Sequence, residues 1–330
     1  MNIFDRFFID SLTEQIIYPD KIAVALSGGC DSTALTLLMN DWAVEHSIKF
    51  TALIVDHKLR PESTSEANIV KSNMSKLGIN AEILTYTGIV PTSNIEEVAR
   101  NYRYRLIIDF CKKNKINYVA TAHNKNEQCE TFLLNLMRGS GLYGLCGIPE
   151  IVNKNNVKFI RPLLSYTKDE LKQICISRNQ TWVEDPSNED EKYLRVRIRK
   201  LKTVFESLGL TSDRIYKTIN NMKSVRGVID LLFQKKIEEC IVNKFEKLGL
   251  IELDLQILLS SPNEIIYRVL EYFISELSDE RHTRSDIICR IIDNLKLSLK
   301  TKSFNATMIK HVRLKLINRE SKCILQMSKI

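Results

Sequence analysis

Long apolar runs are missing from this 330-residue chain, and none reaches the roughly 20 residues that a membrane-spanning helix needs. The N-terminal stretch lacks the basic-then-apolar layout of a secretory signal and carries Asp5, Asp10 and Glu14 instead, so a cytoplasmic protein with no membrane partner is expected. Paired cysteines are missing as well. The eight cysteines, at 30, 111, 129, 146, 175, 240, 289 and 323, include no Cys-x-x-Cys, which argues against a structural zinc site and a disulfide framework. The glycine turn at 27–32 carries neither the Gly-Lys-Ser/Thr of a Walker A loop nor a Gly-x-Gly-x-x-Gly dinucleotide fingerprint. Acidic residues are scarce in one place: residues 281–330 hold twelve Lys and Arg against three Asp and Glu, on a chain whose net charge is +8. A basic end on a near-neutral remainder suggests a polyanionic partner, although a solvated lysine-rich face gives the same composition.

What the chain does have is the stretch Lys21-Ile-Ala-Val-Ala-Leu-Ser-Gly-Gly-Cys-Asp-Ser-Thr33. Ile22 to Leu26 reads as a buried strand, Ser27-Gly28-Gly29 as a turn, and Thr33 to about Val44 as an apolar helix. Paired glycines permit positive φ and close approach of a ligand to the backbone. Successive N–H groups at such a turn, backed by a helix N-terminus, make a concave anion site. Ser27 and Ser32 add hydroxyls, and Asp31 adds a carboxylate suited to Mg²⁺ or a nucleotide hydroxyl. Cys30 sits inside the loop as a small residue rather than a nucleophile.

Strands and helices then alternate. Phe50–Val55, Ala81–Tyr86 and Asn117–Thr121 read as further strands, separated by helices from about Ser63, Asn94–Lys113 and Lys125–Met137. This alternation predicts an α/β fold with a doubly wound parallel sheet, whose ligands bind beyond the carboxyl ends of the strands. The loop at 27–32, Asp56-His57 and His123 all fall at such ends. Glu127 and Glu130 share one face of the helix that follows His123. By spacing alone these acids are more often an ordinary acidic helix N-terminus. Asn188–Glu206 reads as a helix, and beyond about 208 the pattern is mostly helical: a long helix Ser212–Phe245, one capped at Ser261, and Thr283–Lys296. Lys302–Gln326 alternates loosely, as a small hairpin would.

Several motifs recur in a fixed order: Ser27–Ser32, Asp56-His57-x-Leu59-Arg60, Glu97-x-Ala99-Arg100-x-x-Arg103-Tyr104 and Ala122-His123-x-x-x-Glu127-Gln-x-Glu130-Thr131. Leu136-x-Arg138-Gly139-x-Gly141-Leu142, Arg161-Pro162-Leu163, Glu184-Asp185-Pro186-x-Asn188 and Arg195-x-Arg197-x-Arg199 follow. Over about 20–205 this combination resembles the bacterial tRNA(Ile)-lysidine synthetases, within the N-type (PP-loop) ATP pyrophosphatases. The resemblance implies a catalytic domain at 1–208, a helical tRNA-binding domain at 209–280 and a reduced basic portion at 281–330. It implies ATP and Mg²⁺ as cofactors, with ATP contacts at Ser27, Gly28, Gly29, Cys30, Asp31, Ser32, Asp56, His57 and His123. Catalytic roles fall to Asp31, Glu127 and Glu130, with Mg²⁺ at Asp31 and Glu127. Contacts to tRNA fall to Arg100, Arg103, Arg195, Arg197 and Arg199.

The implied reaction is an ATP-dependent carbon–nitrogen ligation. The C2 oxygen of the wobble cytidine in a CAU-anticodon tRNA(Ile) is adenylated, and L-lysine displaces AMP to give lysidine, which turns reading from AUG to AUA. A homodimer is left open. The chain departs from the family at Asn126-Glu127, where an acidic pair is usual, at Asn124, where a second histidine is common, and at Val196 after Arg195. Two alternatives remain: a related 2-thiocytidine-type thiolase, disfavoured by the missing cysteine pair, and a non-catalytic tRNA-binding relative.

Overall fold

The computed structural model describes residues 2–10, 13–58, 62–88, 95–183, 194–245, 248–278, 285–301, 305–319 and 322–330. The chain divides into two compact units, Met1–Met222 and Lys223–Ile330. Arg60, the Glu184–Asn188 turn and Lys192 lie outside the described residues.

The first unit alternates strand and helix: β1 (Lys21–Ala25), α1 (Cys30–Glu45), β2 (Lys49–Asp56), α2 (Ser63–Lys76), β3 (Ala81–Thr85), α3 (Ile95–Asn114), β4 (Tyr118–Ala120) and α4 (Lys125–Met137). After a short α5 (Leu142–Leu145) come β5 (Ile151–Lys154), β6 (Val157–Ile160), α6 (Lys168–Ser177), α7 (Leu194–Lys200) and α8 (Lys202–Ser207). The six strands form one sheet in the order β3-β2-β1-β4-β6-β5. All pairs are parallel except β5 with β6. That last pair is a hairpin closed by Asn155 and Asn156, both at positive φ, the backbone that a two-residue hairpin turn demands.

Successive residues of the central strands serve two cores. Ile22, Val24, Ala52 and Ile54 pack in one cluster with Ala34 and Leu35 of α1 and Val70 of α2, while Ala23, Leu53 and Val119 join Ile107, Ile108 and Cys111 of α3. Such two-sided burial explains why these strands read as unbroken apolar runs rather than alternating ones. β1 lies between β2 and β4, so the connections leaving β1 and β4 part in opposite directions and open a crevice at the carboxyl end of the sheet.

A 29-residue helix, α9 (Ser212–Cys240), contains the division between the units. The second unit continues with β7 (Ile241–Phe245), β8 (Leu250–Asp254), α10 (Leu255–Leu259), α11 (Asn263–Ser278), α12 (Ser285–Thr301), β9 (Thr307–Ile309), β10 (Val312–Arg319) and β11 (Lys322–Lys329). Its sheet, β7-β8-β11-β10-β9, is antiparallel throughout and packs Leu253, Leu314, Leu325 and Met327 against Phe273 of α11 and Ile292 of α12.

Two sequence readings are corrected here. The long helix expected to reach Phe245 stops at Cys240, and β-branched Ile241 and Val242 start a strand paired with β8. The segments 209–280 and 281–330 were expected as separate domains, yet β8 pairs with β11 and both segments fill one core. The expected hairpin at 302–326 is the β10–β11 pair of this sheet. Among the described residues no helix is long and apolar enough to cross a membrane.

Candidate active site

The turn after β1 places Gly28 at φ +87°, with a hypothetical Cβ only 2.6 Å from Cγ2 of Val70. Glycine is required there for backbone torsion and for space. Gly29 is the N-cap of α1 and, having no side chain, leaves the helix without a side-chain cap. The first-turn N–H groups of a helix lack intrahelical acceptors, so this end offers donors to an anion. Ser32 shapes the turn from inside: its Oγ accepts from the Ser27 N–H at 3.2 Å, lies 3.0 Å from Ser27 Oγ, and donates to the Gly29 carbonyl at 2.9 Å. From behind, the Val183 N–H donates to the Gly28 carbonyl (2.9 Å) and Cys175 Sγ to the Cys30 carbonyl (3.5 Å). Burial pushes the Cys30 thiol up, which suits a packed residue rather than a nucleophile.

Asp31 opens α1 and faces the loop that follows β4. Its Oδ2 accepts from Asn124 Nδ2 at 2.8 Å, whereas Oδ1 is buried without a hydrogen-bond partner among the described residues. Burial pushes its carboxyl above the usual range, against the pull of Lys168 and of the Asn124 hydrogen bond. A buried, unpartnered carboxylate oxygen beside a bare helix N-terminus fits a cation that brings its remaining ligands with it. Mg²⁺ on a nucleotide does so, because it binds through one or two carboxylates plus phosphate oxygens. Among the described residues no group of three or more His, Cys, Asp or Glu could cage a metal unaided.

Glu127 belongs to a capping box at the start of α4: its N–H donates to Asn124 Oδ1 (2.9 Å) and its Oε2 accepts from the Asn124 N–H (3.1 Å). Burial raises its pKa, and the charges of Glu130 and Asp31 push the same way. Glu130 is buried in a bidentate pair with Arg199, at 2.5 and 3.1 Å. Arg199, read from sequence as a tRNA contact, is thus the partner of a site carboxylate. At Asp56 both oxygens are engaged within the chain, Oδ1 by the Lys58 N–H and Oδ2 by the Thr64 hydroxyl.

His57 Nε2 accepts from Arg103 Nε at 3.3 Å, and burial, then Arg103, lowers its pKa to about 4 against the opposing Asp56 charge. His123 Nδ1 lies 3.1 Å from Thr121 Oγ1, and its pKa is lowered to about 3 by burial and then by Arg161, Arg100, Arg195 and Arg103. Both rings are therefore neutral at physiological pH. Arg100 lies over the ring of Tyr104, Arg195 reaches Thr131 Oγ1 at 3.5 Å, and Arg197 is exposed on α7.

Sequence reasoning assigned no role to Asn124, Arg161 or Lys168. Arg161 is buried, donates to the Pro149 carbonyl at 2.5 Å, and holds Nε without a partner among the described residues. Asn126, at one of the family departures, accepts from the Lys168 N–H and so ties α4 to the start of α6.

The fold and this site define an α/β protein of the nucleotide-binding class, with a glycine turn that opens a helix at the carboxyl end of its sheet. The PP-loop domain family model matches residues 6–205, which include every residue placed above. The tRNA(Ile)-lysidine synthase of Wolbachia pipientis wMel is 34% identical over 280 residues, covering 84% of this chain and 64% of that protein. The tRNA(Ile)-lysidine synthase of Rickettsia bellii is 32% identical over 302 residues, covering 90% and 69%. The chain belongs to the PP-loop family, among the tRNA(Ile)-lysidine synthases. It spans 64% of the length of the first Wolbachia relative. Among solved structures, the U34-tRNA thiolase NcsA from Methanococcus maripaludis with its [4Fe-4S] cluster shares the fold. Its TM-score is 0.53 at 18% identity, over 67% of this chain and 75% of that one.

Proposed function

We propose that this chain uses ATP to attach L-lysine to C2 of the wobble cytidine in a CAU-anticodon tRNA(Ile), releasing AMP and pyrophosphate and turning codon reading from AUG to AUA. The observation that supports this most is the unpartnered Asp31 Oδ1 beside the uncapped start of α1, in a chain of this family. The N–H groups of that helix end would bind the departing pyrophosphate, where negative charge accumulates. Asp31, with Glu127 as the second carboxylate, would hold Mg²⁺, which supplies neutralisation of the phosphate oxygens when bound.

The ε-amine of lysine, with an intrinsic pKa of about 10.4, is less readily deprotonated than the α-amine at about 8. Its selection therefore depends on orientation, and on an acceptor for the proton it loses. Glu127, which feels the charges of Glu130 and Asp31, and Glu130 itself would contact the lysine and orient it. Glu130 would act with its Arg199 partner in place. A cytidine must be splayed from its loop to be read. Arg100, Arg103, Arg195 and Arg197, on α3 and α7, would steady the RNA backbone, and the basic residues at 281–330 would add salt-dependent affinity.

The test supplies ATP, Mg²⁺, labelled lysine and a tRNA(Ile) transcript with a CAU anticodon, and follows lysine at the wobble position. Incorporation that disappears in Asp31→Ala is expected. Pyrophosphate release without incorporation would point to another nucleophile, as in a thiolase. No release would favour a non-catalytic tRNA-binding relative.

A further inference from the structure

Asn124 is only 2% exposed, and its side chain and N–H are all engaged. Its Oδ1 accepts from the Glu127 N–H, its own N–H donates to Glu127 Oε2, and its Nδ2 reaches Asp31 Oδ2 at 2.8 Å across 93 residues of sequence. Capping α4 needs only an acceptor, which Ser, Thr or Asp would supply equally well. The amide adds a donor, and that donor is spent on the carboxylate of the phosphate loop.

Asp31 occupies the first turn of α1, whose N–H groups have no side-chain cap. An acidic side chain there is drawn to those N–H groups and to the positive end of the helix dipole. A carboxylate folded back onto them would occupy the seat that phosphate needs. The Asn124 amide instead engages Oδ2, and the oxygen left over is the unpartnered Oδ1.

We infer that Asn124 is a positioning residue for nucleotide binding: it holds Asp31 off the anion seat of α1 and leaves Oδ1 to a nucleotide-borne cation. The inference rests on the nucleotide-binding part of the proposed function. It also gives a purpose to the asparagine at a position where the resemblance leads one to expect histidine. The same side chain that starts α4 sets the carboxylate of α1, so the two walls of the crevice are registered by one amide.

The test is Asn124→Ser in the full chain, because serine caps a helix about as well as asparagine but is too short to reach Asp31. Calorimetric affinity for Mg·ATP, without RNA or lysine, is expected to fall about tenfold, with Tm within about 3 °C of the parent. In turnover, KM for ATP should rise by a similar factor, with kcat within about threefold. Repeated in an Asp31→Asn background, Asn124→Ser should change nucleotide affinity less than about twofold, since its effect passes through Asp31. Unchanged Mg·ATP affinity in the single variant would overturn the inference, and so would an equal loss in both backgrounds. If the parent binds Mg·ATP but makes no lysidine, the functional reading fails while the calorimetric comparison still decides the role of Asn124.

Discussion

Asp31 is a carboxylate held where its charge is poorly solvated, with one oxygen lacking a partner among the described residues. Keeping a carboxylate charged against its burial costs stability, which is the origin of its raised pKa. Asp31→Asn is therefore expected to raise Tm of the nucleotide-free protein by about 2–4 °C, given that ~1 kcal/mol moves a unit of this size by that much, while pyrophosphate release is lost. Differential scanning calorimetry checks it, and a lowered Tm would show that the surroundings stabilise the charge. At this scale the sequence was readable where chemistry lies in adjacent residues. Ser27, Gly28, Asp31 and Ser32 announce themselves by spacing, and all take part in the turn or flank it. Asn124 was readable only in part: an asparagine three residues before Glu127 signals a helix cap, but nothing local reveals its bond to Asp31. Arg161 stood in the text as Arg-Pro-Leu, with no sign that its guanidinium would be buried.

The elements of the first unit were legible because each strand is a short apolar run bounded by turn residues and each helix has its own start signal. The Thr167–Glu170 capping box at the start of α6 formed as its sequence suggests. What failed were ends decided by distant partners. From Ile237 to Ile241 the helical period continues unbroken, so only pairing with β8, and of β8 with β11, reveals the stop at Cys240. The contact between α4 and α7 was also hidden, although both halves were noticed separately as acids and as basic residues. Its Glu130–Arg199 pair lends itself to test. Arg199→Leu leaves the buried Glu130 without its bidentate partner and is expected to cost about 2 kcal/mol, less than a fully buried pair because Arg199 is partly solvated. Adding Glu130→Gln should recover most of that loss in thermal unfolding. Were Arg199 purely an RNA contact, Arg199→Leu would leave Tm unchanged and weaken only tRNA binding.

At the scale of the whole molecule, the resemblance implies a boundary at 208, whereas the chain divides after Met222. The start of α9 belongs to the catalytic unit: Ile215 and Ile219 are buried with Phe132, Leu133 and Ile198 of α4 and α7, and Asp213 pairs with Lys125. Ile219→Ala is expected to cost about 2–5 kcal/mol, and to lower the unfolding transition that Mg·ATP raises, since ligand stabilises the unit that holds it. A loss confined to a transition insensitive to nucleotide would place Ile219 in the other unit. The cysteines have a consequence of a different kind. All eight are free, six are buried, and burial pushes Cys111 and Cys175 up to about 12 and Cys129 and Cys240 up to about 11. Only Cys289 on α12 stands exposed, with Cys323 on β11 half-covered. A maleimide dye offered briefly at neutral pH will thus mark the second unit at Cys289 and spare the thiol inside the phosphate loop. Fluorescent tRNA titrations can be run on the unmutated chain.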